Sequence, residues 1–277
     1  MLRLLHIEFI KLWNNKSSKF LIICYFGLLT SIALFASIKF EIGFFKFHLA
    51  DSGVFNFPYI WHFNTFIAAL LKLFLAIIIV SMVANEYSNK TLKQNLIDGL
   101  SKKEFILSKF LTILALSFIS TIFIFLISLI LGFSFSDYNI LDAIFKDLEY
   151  LVAYFVKLTG FFSFCLFIGI LIKRSAFALG FLFMWFLAVE FLPYMYLWSH
   201  YSKKLADTIY SFFPLGSMWN LIAQPFTRLN AIKSIAKQVG EDVTYDYIVH
   251  WHEIIIVLIW TAIFIFLSHY LLRKRDL

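Results

Sequence analysis

Residues 85–109, NEYSNKTLKQNLIDGLSKKEFILSK, form a short charged stretch between two long apolar runs. Three leucines recur within it at helical spacing, at Leu92, Leu96 and Leu100. We therefore predict a helix that runs to Asp98, with Ser88 as its N-cap, because a serine hydroxyl accepts a hydrogen bond from a free backbone N–H. A helix of about ten residues is too short to be stable alone in water. The pattern therefore predicts a surface helix that docks against a partner. A solvated turn that only obeys the distribution of basic residues is the alternative.

Two signals end this helix and begin the next one. Gly99 stands where a left-handed C-terminal cap is expected, because glycine has no Cβ to clash in that conformation. Ser101 and Glu104 have the spacing of a capping box, in which both side chains satisfy free backbone donors. A new helix is expected from Phe105. The predicted order is an apolar span, a short surface helix, a tight break and a second apolar span.

Composition places the whole chain in a membrane. Of its 277 residues 61% are hydrophobic, including 36 Phe, whereas a soluble domain is about half apolar. The basic residues behind the net charge of +7 are dispersed among apolar runs, which favours contact with anionic lipid over nucleic-acid binding. Cys24 and Cys165 lie inside apolar runs, so we expect buried thiols rather than a disulfide.

Apolar runs of membrane-spanning length recur six times. We predict spans at about 20–38, 58–84, 105–133, 150–172, 176–198 and 248–272. Residues 1–13 form an amphipathic pattern with Leu2, Leu5, Phe9, Leu12 and Trp13 on one arc, which predicts a helix lying along the membrane surface. The expected fold is a single all-α membrane domain, 1–277. It carries a surface helix within 1–19, a hairpin within 85–104 and an outer segment at 199–247.

The basic residues orient the chain. They are concentrated before the first span, between the second and third, between the fourth and fifth, and after the sixth: Arg3, Lys11, Lys16, Lys19, Lys90, Lys93, Lys102, Lys103, Lys109, Lys173, Arg174, Arg273, Lys274 and Arg275. Segments near the spans that are rich in Lys and Arg remain cytoplasmic. We therefore expect both termini and the 85–104 hairpin in the cytoplasm.

The outer segment 199–247 contains an apolar stretch, 205–223, that Pro214 and Gly216 interrupt. It is too short and too broken to span a membrane. We expect a pair of short helices that dip back into the outer leaflet, where irregular backbone must be shielded by protein. An extracellular lid is the alternative.

The sequence contains no phosphate-binding loop of the G-x-x-x-x-G-K-[ST] type, no G-x-S-x-G motif and no H-E-x-x-H motif. We therefore expect no ATP site, no catalytic residue and no metal in this chain. His250 and His252, two residues apart on a helix, point in different directions. Together with Glu253 they are interpreted as anchors at the outer end of the last span.

Charged residues inside spans are costly and often functional. Lys72 lies about 18 Å from the cytoplasmic end of the second span, and Glu190 about 22 Å into the fifth, at 1.5 Å per residue. These similar depths predict an ion pair that locks two helices, or alternatively a polar spot in a translocation path. Pro193 is expected to kink the fifth span near Glu190. Lys157 is expected to extend its amine to the outer surface.

With these features together, the chain resembles the type-2 ABC exporter permease family, and the resemblance covers the whole chain. The matching motif lies in the hairpin after the second span. It consists of Glu86, the pair Lys90-Thr91, the helix through Asp98, the pair Ser101-Lys102, and Lys109. Lys90 replaces a usual glycine, and Leu100 stands where a proline is common.

The resemblance implies a bacterial cytoplasmic-membrane permease that moves a hydrophobic or amphipathic substrate. ATP and Mg²⁺ would bind to separate ABC ATPase subunits, and a second permease copy or a paralogue would complete the transporter. The residues expected to couple to the ATPase are Glu86, Lys90, Thr91, Lys93, Asn95, Asp98, Ser101 and Lys102. The second and fifth spans would surround the path, which places Lys72 and Glu190 beside it. Membrane lipids and a periplasmic or accessory subunit are further expected partners, and nucleic acid is not.

Three alternatives stay open at this stage. A structural or motility-type subunit would share this architecture without moving a solute. An intramembrane enzyme would need acidic or histidine residues converging at one depth, and only Glu190 is clearly mid-span. A carrier that works without ATP often shows inverted repeats, and none is visible here.

Overall fold

Helices make up nearly all of the described structure. The computed structural model describes residues 2–38, 40–42, 45–47, 53–136, 141–228 and 246–275. In chain order the elements are α1 (Leu2–Asn14), α2 (Lys16–Ser37), β1 (Phe40–Ile42), β2 (Phe45–Phe47), α3 (Tyr59–Leu70), α4 (Lys72–Ser88), α5 (Thr91–Ile97), α6 (Lys102–Phe135), α7 (Leu141–Phe145), α8 (Glu149–Ile172), α9 (Ser175–Trp185), a π-helical turn (Phe186–Phe191), α10 (Leu192–His200), α11 (Lys203–Tyr210), α12 (Pro214–Asn220), a 3₁₀ turn (Phe226–Arg228) and α13 (Trp251–Lys274).

Five of these elements are long and apolar enough to cross a membrane, and a bent pair supplies a sixth candidate. In chain order we refer to them as spans 1 to 6: α2, α3 with α4, α6, α8, α9 with α10, and α13. They coincide with the six apolar runs predicted from the sequence. The largest differences in bounds are at span 2, which ends at Ser88 instead of about 84, and at span 1, which begins at Lys16 instead of about 20. Only Asn15 separates it from α1, because its side chain accepts hydrogen bonds from the N–H groups of Ser17 and Ser18 and caps the new helix at once.

Span 2 bends by 44° at Leu71. The helix narrows there, because the N–H of Leu71 bonds to the Ala68 carbonyl and the N–H of Phe74 bonds to the Leu71 carbonyl, three residues back in each case. The bend places Lys72 at the first position of the second half, α4.

Span 5 contains the π-helical turn directly before Pro193. Proline has no N–H, and its ring crowds the carbonyl four residues earlier, here that of Val189. A wider turn relieves this crowding. Glu190 lies within this π-helical turn, and the kink expected from Pro193 stays a prediction.

Span 4 forms the centre of the bundle, with 78% of its most apolar window buried. Span 6 packs closely on it at Gly160. A Cβ added there would lie 2.7 Å from the Cγ1 atom of Val257, so glycine is what allows this approach. Span 5 is much less covered, with 11% of its window buried.

The loops carry short elements. Strands β1 and β2 form an antiparallel hairpin after span 1, with Phe40 opposite Phe47. The broken apolar stretch 205–223 folds into two short helices, α11 and α12, as expected, and Gly216 and Met218 of α12 are buried against the bundle. The remainder of the outer segment, 229–245, lies outside the described residues.

Only part of the apolar arc of helix α1 packs against the bundle. Leu12 is 4% exposed, whereas Trp13, on the same predicted arc, is 58% exposed. Ile7 and Ile10 are also exposed. The helix therefore has one face on the protein and a second apolar face turned outward, as a helix at a membrane surface requires.

Candidate functional site

The hairpin after span 2 begins one turn later than predicted. Helix α4 continues through Ser88, and the N–H of Asn89 still bonds to the Asn85 carbonyl, so the prediction of Ser88 as an N-cap is wrong. The chain turns instead at Lys90, which has a left-handed φ of 58°. Helix α5 then begins at Thr91 without a side-chain cap. Glycine adopts a left-handed φ without strain, which explains why the family that this sequence resembles usually has glycine at this position.

The end of α5 has the predicted geometry. Gly99 has a φ of +97°, the N–H of Leu100 bonds to the Asn95 carbonyl at 2.9 Å, and the N–H of Gly99 bonds to the Leu96 carbonyl at 3.3 Å. These two bonds define a Schellman cap. The capping box is also confirmed, because Ser101 and Glu104 each accept a hydrogen bond from the other's backbone N–H. Its helix begins at Lys102 rather than at Phe105.

A cluster of four charged residues lies where α1 meets the hairpin. The Lys109 ammonium donates to Oε2 of Glu8 at 2.6 Å and to Oε1 of Glu86 at 2.9 Å. The Lys11 ammonium reaches the same two carboxylates, at 3.2 Å from Glu8 and 2.8 Å from Glu86. Two cations and two anions thus form a closed network, which we call the cytoplasmic cluster after the side of the membrane that the basic residues predict for it. It joins α1, span 2 and span 3.

The cytoplasmic cluster is largely removed from solvent. The side chain of Lys109 is 0% exposed and those of Glu8 and Glu86 are each 5% exposed, whereas that of Lys11 is 41% exposed. Burying charges is costly unless each is paired and hydrogen-bonded. All four meet this condition, so the arrangement is held in one geometry.

Glu86 also fixes helix α5. Its Oε2 atom accepts a hydrogen bond from the Thr91 hydroxyl at 2.6 Å and a longer one from the Asn95 amide at 3.5 Å. Leu92 anchors the buried side of α5 and is 1% exposed. Helix α5 is therefore attached through one carboxylate to α1, span 2 and span 3.

The charge of Lys11 is stabilised by the same contacts. Partial burial alone would lower the pKa of the Lys11 ammonium, but its hydrogen bond to Glu86 and the field of Glu8 outweigh burial. The net pKa lies above the usual 10.5. Lys11 therefore stays protonated at neutral pH.

The outer side of α5 faces away from the protein. Lys93, Gln94 and Asp98 are exposed there, and the apolar side chain of Ile97 is 69% exposed. Between α1 and the hairpin lies a cleft of about 490 Å³ that Arg3, Asp98 and Glu104 help to line. An exposed isoleucine surrounded by charged and amide groups beside a cleft has the character of a protein-binding surface.

Two more of the predicted coupling residues, Ser101 and Lys102, have structural partners. Ser101 caps α6, and the Lys102 ammonium donates to the carbonyls of Arg275 at 2.8 Å and Arg273 at 3.4 Å. Lys102 therefore connects the start of span 3 to the end of span 6. Lys90 is exposed at the turn into α5.

The predicted ion pair between Lys72 and Glu190 does not form among the described residues. Both oxygens of Glu190 accept backbone N–H groups at the start of α12, from Leu215 at 2.9 Å and from Gly216 at 2.8 Å. The Lys72 ammonium lies over the ring of Phe161, 4.2 Å from its centroid. Equal depth in the membrane therefore did not bring these two side chains together.

Lys157 also differs from expectation. It is 1% exposed and does not extend to the surface. Its ammonium donates to the Trp219 carbonyl at 3.4 Å and lies 5.5 Å from the centroid of the Trp219 ring. Glu190 thus contacts the first turn of α12 and Lys157 contacts its last turn. A negative charge at the start and a positive charge at the end are the arrangement that the helix dipole favours.

Sequence reasoning missed Glu8 and Lys11 as site residues. A signal was present, because both lie on one side of the predicted surface helix, three residues apart, and a buried Lys109 needs carboxylate partners. In the described ranges no three His, Cys, Asp or Glu side chains converge as a metal site would require, and His250 pairs with Asp246 at 2.9 Å.

Fold and site together define a multi-pass membrane protein that has a short hairpin helix fixed to its spans and no nucleotide-binding motif in its sequence. Comparison with protein families matches residues 15–277 to the ABC-2 family transporter protein family. The chain belongs to this family, and the resemblance stated from the sequence is confirmed. Such proteins are membrane subunits that associate with ABC ATPase subunits. A search of curated proteins returned no match.

Proposed function

We propose that this chain is the permease subunit of an ATP-driven exporter in a bacterial cytoplasmic membrane, with both termini and helix α5 on the cytoplasmic side. It moves a hydrophobic or amphipathic substrate, and ABC ATPase subunits supply the bound ATP and Mg²⁺. A second permease copy or a paralogue completes the transporter, and membrane lipids surround it. A periplasmic or accessory subunit is a further proposed partner.

The cytoplasmic cluster is the observation that carries this proposal. A force applied to a short helix is transmitted to the spans only if that helix is fixed to them. Glu86 bonds to Thr91 of α5 and to Lys109 of span 3, and Glu8 of α1 bonds to the same lysine. When an ATPase moves α5, therefore, α1 and the cytoplasmic ends of spans 2 and 3 move with it.

The exposed side of α5 supports the position of the ATPase. Ile97 gives an apolar centre, and Lys93, Gln94 and Asp98 surround it with groups that form hydrogen bonds. Docking would bury this isoleucine, which is otherwise left in water. This arrangement favours a stable protein partner over a solvated turn.

The test is to purify the tagged full-length chain from its native membrane and to measure ATP hydrolysis in the purified complex. We expect ABC ATPase subunits to co-purify. Ile97→Glu should reduce the bound ATPase at least about tenfold, because it places a charge in the core of the interface. Tyr201→Glu is the matched control, since Tyr201 is also 69% exposed but lies at the C-terminal end of span 5 and not on α5.

Unchanged ATPase binding in Ile97→Glu would contradict the docking role of α5. If the wild-type complex hydrolyses ATP yet moves no amphiphile in proteoliposomes, the structural or motility-type subunit would be the better assignment.

A further inference from the structure

Three charged side chains lie deep in the spans, apart from the cytoplasmic cluster: Lys72, Lys157 and Glu190. The only carboxylate of the three is engaged by the backbone of Leu215 and Gly216. In the described part of the chain, neither lysine has a carboxylate partner. These spans therefore carry more positive than negative charge at this depth.

The two lysines belong to one site. The Lys72 ammonium lies over Phe161, and Phe161 is four residues, about one helical turn, after Lys157 on span 4. The Lys72 ammonium therefore contacts span 4 one turn from the residue that carries the second ammonium group. Like charges held together in a medium of low polarity are costly, and an anion placed between them would remove that cost.

The present partners of these lysines are weak ones. Lys157 has a single long bond, to the Trp219 carbonyl at 3.4 Å, and Lys72 has an aromatic ring. A carboxylate or phosphate oxygen accepts a shorter and stronger bond from an ammonium group than either partner provides. Both lysines can therefore turn to an anionic ligand without losing a strong contact.

Lys72 is also accessible from the side of the bundle. It is half-buried at the 44° bend of span 2, next to Leu70 and Leu73, which are 46% and 53% exposed. A ligand arriving there would meet apolar side chains around one ammonium group. This combination suits a molecule with an apolar tail and an anionic head.

We propose that Lys72, with Lys157 behind it, binds the anionic head group of an amphipathic substrate, a carboxylate or phosphate carried on an apolar chain. This inference rests on the proposed transport function and narrows its substrate class to anionic amphiphiles. The head group lies between the two ammonium groups beside the Phe161 ring, and the tail lies along Leu70 and Leu73. Cationic amphiphiles are excluded by repulsion.

The test uses the purified full-length chain in phosphatidylcholine nanodiscs. The probes are dansylaminoundecanoic acid and its neutral methyl ester, and binding is followed by energy transfer from tryptophan to dansyl. We expect the acid to bind at least about tenfold more tightly than the ester. Lys72→Gln should remove that preference, Lys72→Arg should retain most of it, and Lys103→Gln, an exposed control, should leave it unchanged.

Lys157→Gln should also weaken binding of the acid. If this variant fails to give monodisperse protein, Lys72→Gln decides the question, because Lys72 is only half-buried. Equal affinity for acid and ester would overturn the proposal, and so would a preference for the acid that survives in Lys72→Gln. Neither result would affect the permease assignment, which is tested by ATPase co-purification and needs no probe.

A competition experiment identifies the source of the head group. Nanodiscs containing phosphatidylglycerol should displace the acid if the natural ligand is a membrane phospholipid. If phosphatidylglycerol does not compete, the site is selective for a carboxylate amphiphile.

Discussion

The charges of the cytoplasmic cluster and those deep in the spans are stabilised in different ways. In the cytoplasmic cluster two lysines and two glutamates pair with one another at 2.6 to 3.2 Å. Deep in the spans, Glu190 bonds to backbone N–H groups, and Lys72 and Lys157 contact rings and a carbonyl. A closed network of full charges fixes several helices together. Charges that contact only backbone groups and aromatic rings stabilise only those local contacts. Two of these charged residues, Lys72 and Lys157, remain able to bind an anion.

The largest effect should come from opening the cytoplasmic cluster at Lys109. Lys109→Met leaves Glu8 and Glu86 buried with only Lys11 as a cationic partner, and removing one member of a buried pair costs about 3–5 kcal/mol. We expect a large fall in thermal stability, measured in detergent by intrinsic fluorescence. Lys103→Met removes an exposed lysine of the same helix and should change stability by less than about 0.5 kcal/mol.

A double variant sharpens this prediction. Adding Glu86→Gln to Lys109→Met removes one of the two carboxylates that then share the single ammonium group of Lys11, so part of the lost stability should return. If the double variant is less stable than Lys109→Met by the full cost of Glu86→Gln alone, the two residues are not coupled. That outcome would contradict the closed network.

A smaller effect is expected at Glu190. Glu190→Ala leaves the N–H groups of Leu215 and Gly216 without their acceptors, and an unsatisfied buried donor costs about 1–3 kcal/mol. Glu190→Gln keeps one acceptor oxygen and should retain part of the stability. The measurement is hydrogen exchange at residues 214–220, where Glu190→Ala should speed exchange and Lys72→Gln should not. If Lys72→Gln also speeded hydrogen exchange at residues 214–220, the side chains of Lys72 and Glu190 would be paired after all.

Short-range signals allowed the hairpin and the spans to be predicted from the sequence. The Gly99 turn and the Ser101–Glu104 capping box depend on residues only a few positions apart, so local chemistry determines them. The Ser88 cap failed because the helical hydrogen bonds of span 2 continue past it. A serine next to a charged stretch does not reveal where the preceding span ends.

The partners of the buried charged side chains could not be predicted from the sequence, for a geometric reason. Counting residues along a span gives depth but not the direction in which a side chain points around the bundle. Lys72 and Glu190 were matched by depth, yet Glu190 points to α12 and Lys72 to span 4. Lys109 was noted from its motif, but Glu8 lies 101 positions earlier in the chain and is brought to it only by packing of α1.

The smallest effect concerns Lys11, the exposed member of the cytoplasmic cluster. Its pKa is raised by Glu86 and Glu8 over the opposing effect of partial burial, so its contribution to stability is fully present below about pH 10.5 and is lost as the pH rises through the folded-state pKa. Lys11→Arg should keep that contribution, because an arginine stays protonated in this range. We expect the thermal stability of the wild type to fall slightly below that of Lys11→Arg as the pH is raised from about 9 to about 12. Equal losses in the two proteins would mean that Lys11 adds no charge stabilisation, and the network would then rest on Lys109 alone.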